Sequence, residues 1–247
     1  MNLRSDDPVA VGVVAAIQSG DLAALRRLLS ENPGLSSAKI IDTRNRCAAG
    51  EIKRTLLHVA TDWPGNFPNS AATIAALIAS GAEVNAQFTG PHIETPLHWA
   101  ASSDDVEALD ALLDHGADIE APGAVIGGGT PLADAVAFGQ WKAARRLLER
   151  GARTTLWQAA ALGLLDRVEE YFARSTPPAS GEITNAFWCA CHGGQRGTAE
   201  YLLARGAELN WIGYDKLTPL DAARRSSARD VVEWLSAQGA RPATALA

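Results

Sequence analysis

The sequence predicts an all-α fold, a solenoid of stacked helix pairs joined by short β-hairpin-like fingers, and three features of the chain predict it. A threonine suited to capping a helix recurs at Thr55, Thr95, Thr130, Thr154, Thr184 and Thr218, at spacings of 24 to 40 residues. Self-similarity at such a period marks a repeat array. A helix-ending glycine follows 21 residues after the threonine in three copies: Thr95 to Gly116, Thr130 to Gly151 and Thr218 to Gly239. Apolar residues recur at matched places in every second helix: Leu25/Leu28/Leu29, Ile74/Leu77/Ile78, Leu109/Leu112/Leu113, Ala144/Leu147/Leu148, Val168/Tyr171/Phe172, Ala199/Leu202/Leu203 and Val232/Leu235. A stripe at i, i+3, i+4 on so short a helix is buried only by stacking on a neighbour, so one continuous domain over residues 1–247 is expected.

The most regular copy, residues 95–120, reads TPLHWAASSDDVEALDALLDHGADIE. Thr95 is placed to cap a helix whose first residue is Pro96, and Gly116 is placed to end the second helix. With its Thr95-Pro96-Leu97-His98 opening and Ala100 two residues on, this segment resembles the ankyrin repeat. The resemblance implies about seven repeats of bacterial type, over residues 9–35 (an N-terminal cap), 55–85, 95–120, 130–153, 154–174, 184–210 and 218–241 (a C-terminal cap). It also implies that His58 and His98 tie adjacent repeats together by hydrogen bonds. The first helices and the fingers would form a concave binding wall.

Taken in order, the first copy is degenerate, with Gly20-Asp21 as its inter-helix turn and Asn32-Pro33 as its end. Residues 36–54, carrying Lys39, Arg44, Arg46, Lys53 and Arg54, form a connector longer than an ordinary loop and are expected to be mobile or specialised. The second copy is interrupted by Trp63-Pro64-Gly65-Asn66-Phe67-Pro68-Asn69, whose prolines exclude helix. A glycine-rich flexible finger, residues 122–129, precedes the fourth copy. It lies at a helix N-terminus but lacks the lysine of a phosphate-binding loop. The fifth copy closes at Pro177-Pro178 instead of Gly-Ala. Acids on the third copy and bases on the fourth should pair laterally, Glu107 with Lys142 and Asp110 with Arg145.

A net charge of −6 argues against general affinity for nucleic acid. The apolar run Pro8 to Ile17 follows Asp6-Asp7 and lacks a cleavage site, so it reads as a capping helix. No other run approaches the ~20 apolar residues that span a bilayer. Three cysteines, Cys47, Cys189 and Cys191, make no disulfide framework. A cytoplasmic monomer is the expectation, with no membrane partner.

Offsets of four, seven and eight from each opening threonine share one helix face, which by the resemblance is the binding wall. It carries Asp62 and Trp63, Trp99, Ser102 and Ser103, Asp134 and Phe138, Gln158 and Leu162, and Trp188, Cys191 and His192; the fingers add His92, Glu94, Trp211 and Tyr214. Tryptophan offers large amphipathic area at low entropic cost, which suits recognition. Cys189-Ala190-Cys191-His192 has no second ligand pair and is not read as a metal site. No cofactor is expected. The function expected is a non-enzymatic interaction module that holds a protein or peptide along the concave groove. The alternative is a small-molecule site, whose catalytic version is an acid/base enzyme using Asp62, His92, Asp134 and His192.

Overall fold

The computed structural model describes residues 1–47 and 50–246, with the backbone alone over residues 44–47. The side chains of Arg44, Arg46 and Cys47 therefore lie outside the described residues. The chain divides into two compact units, Met1–Ala152 and Arg153–Ala247.

In the first unit the helices form pairs: α1 (Pro8–Ser19) and α2 (Leu22–Glu31), α3 (Leu56–Ala60) and α4 (Ser70–Ala79), α5 (Pro96–Ser102) and α6 (Val106–Asp114), α7 (Pro131–Ala137) and α8 (Trp141–Glu149). First helices pack on first helices, as α5 does on α7, while α4, α6 and α8 stack behind them. The second unit follows the same plan with α9 (Leu156–Ala161) and α10 (Leu165–Phe172), α11 (Ser180–His192) and α12 (Arg196–Leu203), and α13 (Pro219–Arg225) and α14 (Arg229–Ala237). There α11 packs on both α9 and α13.

Local chemistry explains the boundaries. Thr55, Thr95, Thr155 and Thr218 each form a reciprocal capping box with the residue three positions on, which satisfies two backbone donors at the helix start. Gly116, Gly151 and Gly239 lie at φ 88°, 99° and 82°, the left-handed stop that a helix C-terminus requires. The stripe is buried as expected: Ile74, Leu77, Leu109, Leu112, Ala144 and Leu147 in the first unit, and Val168, Ala199, Leu202 and Leu235 in the second, are sealed from solvent. In α14 it is Val231, not Val232, that occupies the inner position.

Four expectations are corrected. The connector holds two paired strands: β2 (Lys39–Cys47) pairs antiparallel with β3 (Gly50–Thr55), and β1 (Asn2–Arg4) adds in parallel along β2. β-branched Ile40, Ile41 and Thr43 favour the pleated form, but the partner strand at residues 2–4 is remote in sequence. The lateral ion pairs are Asp110 with Arg146 at 2.8 Å and Arg150 at 2.6 Å, and Asp114 with Arg150 at 2.7 Å. Glu107 instead accepts from the Ala71 N–H of the preceding pair. Arg146 and Arg150, four residues apart, share one helix face and bracket Asp110. Helix α9 is capped by Thr155 and not Thr154, which puts Gln158 into the capping box and buries it. Helix α11 starts at Ser180, so Thr184 lies inside the helix, where its hydroxyl accepts from the Glu208 N–H.

Candidate functional site

In the first unit the inserted turn presents Trp63. The Asn66 N–H donates to Asp105 Oδ2 at 2.6 Å, and Gly65 lies so close to Ser103 that a Cβ there would come within 2.7 Å of it. The turn is thereby fastened to the neighbouring helix pair, yet Trp63 is 79% exposed. Beside it Asp62 accepts from the Trp63 N–H and pairs with Arg54 of β3. Burial raises the Asp62 carboxyl above the usual range against the opposing pull of Arg54. Phe138, at the end of α7, is 49% exposed. Ser102 is half-buried and donates to the carbonyl of His98.

Behind this surface lies a buried polar knot. Glu94 is buried and accepts from Trp99 Nε1 at 2.8 Å through Oε2 and from the Val125 N–H at 2.8 Å through Oε1. His92 Nδ1 lies 3.0 Å from Glu94 Oε2, and its ring stacks on Phe88 at 4.5 Å. Trp99 is half-buried, edge-on to His58 at 4.9 Å. Asp134 is sealed on α7 with neither carboxyl oxygen receiving a hydrogen bond of ordinary geometry. Burial and the adjacent Glu94 raise its proton affinity far above that of a solvated carboxyl. Thus Trp99, His92, Glu94 and Asp134 do come together, but as an internal cluster. The finger at residues 122–129, read from sequence as flexible, is held to this cluster through Val125.

In the second unit the expected wall is largely internal. Cys191 is sealed, and burial pushes its thiol up, out of the reactive range. His192 is buried with Nδ1 3.3 Å from the Ser226 hydroxyl. Trp188 is 3% exposed and donates through Nε1 to the Leu217 carbonyl at 2.9 Å. Tyr214 stays open at the surface, edge-on to Trp188 at 5.2 Å, with its hydroxyl donating to Asn185 Oδ1. Trp211, half-buried, lies edge-on to Tyr214. Apart from these residues, Trp157, Tyr171, Arg174 and Pro177 help line a half-open cavity of about 520 Å³.

An acid/base centre needs its groups within hydrogen-bond reach of one another or of one substrate atom. Here Asp62 goes to Arg54, His92 lies against Glu94, His192 lies against Ser226 and Asp134 is closed to solvent. Asp62 and His192 thus have separate surroundings, and His92 and Asp134, though both lie near Glu94, share no hydrogen bond with each other. Among the described residues no group of three or more His, Cys, Asp or Glu side chains could hold a metal ion, and no helix is long and apolar enough to cross a membrane.

Two sets of ties link successive helix pairs. His58 Nδ1 lies 2.8 Å from Thr55 Oγ1 and its Nε2 reaches the Glu94 carbonyl at 3.1 Å. His98 repeats this with Thr95 and the Gly129 carbonyl, the latter at 3.3 Å. Residues 69–156 match the family Ankyrin repeats in three copies. The fold also matches the crystal structure of the human ASB11 ankyrin repeat domain with a TM-score of 0.50, at 20% identity, over 93% of this chain and 97% of that one. The fold is that of ankyrin repeats. An ankyrin repeat and KH domain-containing protein of Caenorhabditis briggsae is 30% identical over 185 residues, 71% of this chain and 7% of that protein. Palmitoyltransferase AKR1 of Kluyveromyces lactis is 34% identical over 113 residues, 45% of this chain and 13% of the enzyme. The chain thus spans only a small part of the length of either relative.

Ankyrin geometry identifies a role for Trp188 that its sequence position concealed. The left-handed turn residue between paired helices is Asp104 (φ 52°), Gly139 (φ 70°) and Gly194 (φ 69°), and counting back from each sets Trp188 level with His98. Its indole N–H meets the Leu217 carbonyl just as the His98 ring meets that of Gly129, each carbonyl lying one residue before a capping threonine. Aligning on Thr184 misplaces the copy by one residue; the Gly194-Gln195 turn, like Gly139-Gln140, carries the correct register. Trp188→Phe is expected to destabilise the protein by about 0.5–1.5 kcal/mol, because the indole N–H bond is lost while the Leu217 carbonyl keeps the Gly213 N–H as a donor. Urea unfolding followed by circular dichroism measures this, and an unchanged midpoint would contradict the tie.

Proposed function

We propose that this ankyrin-repeat chain is a non-enzymatic interaction module that takes a protein or peptide along the concave groove, with Trp63 and Phe138 of the first unit as its anchors. Ankyrin repeats generally serve as protein interaction modules, which supports a polypeptide partner. The observation that carries the reading is Trp63, 79% exposed on a turn that is hydrogen-bonded to the next helix pair. The backbone beneath this indole is already fixed, so a partner that covers it gains apolar burial without ordering the turn. Phe138, Ile93 and Val125 add exposed apolar area in the same unit.

The test starts from peptides selected by phage display against the whole chain. Trp63→Ala and Phe138→Ala should each weaken the selected peptides about tenfold or more, the loss typical of an anchor residue, while stability changes by no more than about 0.5 kcal/mol. Peptides that bind both variants as tightly as the parent would remove the reading.

A further inference from the structure

In the second unit one copy breaks the repeat pattern, and a cavity lies at the break. Counted from the capping threonines Thr95, Thr130 and Thr155, the second helical residue is Leu97, Leu132 and Trp157. Both leucines are sealed, whereas Trp157 is only half-buried. Its copy closes at Pro177-Pro178 and enters α11 at Ser180. Trp157, Tyr171, Arg174 and these two prolines line the half-open cavity of about 520 Å³. Sites for small molecules run from roughly 300 to 1,000 Å³.

Among the described residues two groups on this wall lack a polar partner. The indole N–H groups of Trp99 and Trp188 are committed to Glu94 and Leu217. That of Trp157 meets no acceptor and is not sealed from water. Arg174 pairs with no carboxylate; its guanidinium carbon lies 3.7 Å from the centre of the Tyr171 ring. That ring is itself held, since the Tyr171 hydroxyl donates to the Thr154 carbonyl at 2.6 Å. Stacking thus braces the planar fork of Arg174 at the cavity. One acid, Glu182, also lines the cavity, and its Oε2 accepts from the Ala179 N–H at 2.9 Å at the start of α11.

The wall therefore offers flat apolar surface beside two sets of N–H donors, one of them cationic. A neutral apolar guest would cover those donors without an acceptor, at a cost in free energy. A cation would meet Arg174. A phosphate or dicarboxylate would bring a second negative charge towards Glu182 with one arginine to balance it. A single carboxylate matches the guanidinium fork in bidentate fashion. We propose that this cavity is a binding site for a small organic monocarboxylate with a flat apolar body. The carboxylate sits on Arg174, the body lies against Trp157, Pro177 and Pro178, and the Trp157 indole N–H is a further donor. This site shares no residue with the Trp63 and Phe138 surface, so either can fail without the other.

The test uses the full chain labelled with nitrogen-15 and follows the indole N–H signal of Trp157, assigned by its disappearance in Trp157→Phe. Benzoate, naphthaleneacetate and biphenylcarboxylate are each titrated to millimolar concentration, where ligands this small are expected to bind. At least one should move the signal saturably, and its carboxamide should bind about tenfold or more weakly, as expected when a charge-assisted bond is lost. Arg174→Gln, at an exposed position, should leave the circular dichroism spectrum unchanged and weaken the carboxylate to a similar degree. Arg205→Gln is the control. Arg205 is likewise stacked on a tyrosine, Tyr201, at 3.3 Å, but does not line the cavity, so this variant should bind as the parent does. No saturable shift with any of the three acids, equal binding of acid and amide, or equal losses in the two arginine variants would overturn the proposal.

Discussion

Gly193→Ala is expected to destabilise the second unit by about 3 kcal/mol or more, although its backbone angles suit any residue. Gly193 ends α11 at φ −78° and ψ −2°, so no strain attends a side chain there. The obstacle is contact. A Cβ at that position would stand 1.9 Å from the carbonyl oxygen of Ala161 and 2.8 Å from its carbonyl carbon. Backbone cannot rotate away as a side chain can, so α11 and α9 must separate by more than an ångström where Ala159, Ala160 and Ala161 are all sealed. Overpacking a close-packed interior costs roughly 1–3 kcal/mol and more where backbone has to shift. Gly197→Ala is the control. Nothing lies within 4 Å of a Cβ there, and Gly197 is on the exposed side of α12, so alanine should stabilise by up to about 1 kcal/mol through its higher helix propensity. Urea denaturation at unchanged m-value reads both. Equal stability of the Gly193 variant and the parent would mean that α9 and α11 are not in such contact.

Phe187→Ala should cost about 3–5 kcal/mol, the range for emptying a buried aromatic site. Phe187 is sealed on α11 among Leu156, Ile183, Leu202 and Leu220, with Trp234 edge-on at 6.5 Å. In the corrected register it stands level with Leu97 and Leu132, both sealed in the first unit. Phe187→Leu should therefore cost less than about 1.5 kcal/mol, because leucine suits that slot and leaves the smaller void. The difference between the two variants, measured in one denaturation series, checks packing and register together. Comparable losses for alanine and leucine would place Phe187 elsewhere in the repeat.

Much of the fold is legible in the residues themselves because its determinants are local. A capping threonine, a proline in the first turn and a left-handed glycine each act within a few residues of where they stand. The second-helix stripe also required no knowledge of its neighbour beyond the need to be covered. The site was less legible. Trp63 is exposed because an insertion with two prolines must leave the helix. Trp99 and Trp188 carry the same side chain but lie half-buried and sealed, each with its N–H committed to an acceptor several residues or more away in sequence.

What the residues determined alone was therefore the helix pairs, their caps and stops, the buried stripe and the exposed indole of Trp63, since short-range hydrogen bonding and helical periodicity fix them. Tertiary structure decided the rest. Residues 39–47 and 50–55 pair as antiparallel strands, and residues 2–4, remote in sequence, add a third strand beside them. The ion pairs settled on Arg146 and Arg150 because packed helices choose which long side chains can reach. Asp134 was sealed, and its carboxyl's proton affinity raised, only because elements remote in sequence close over α7 and exclude water.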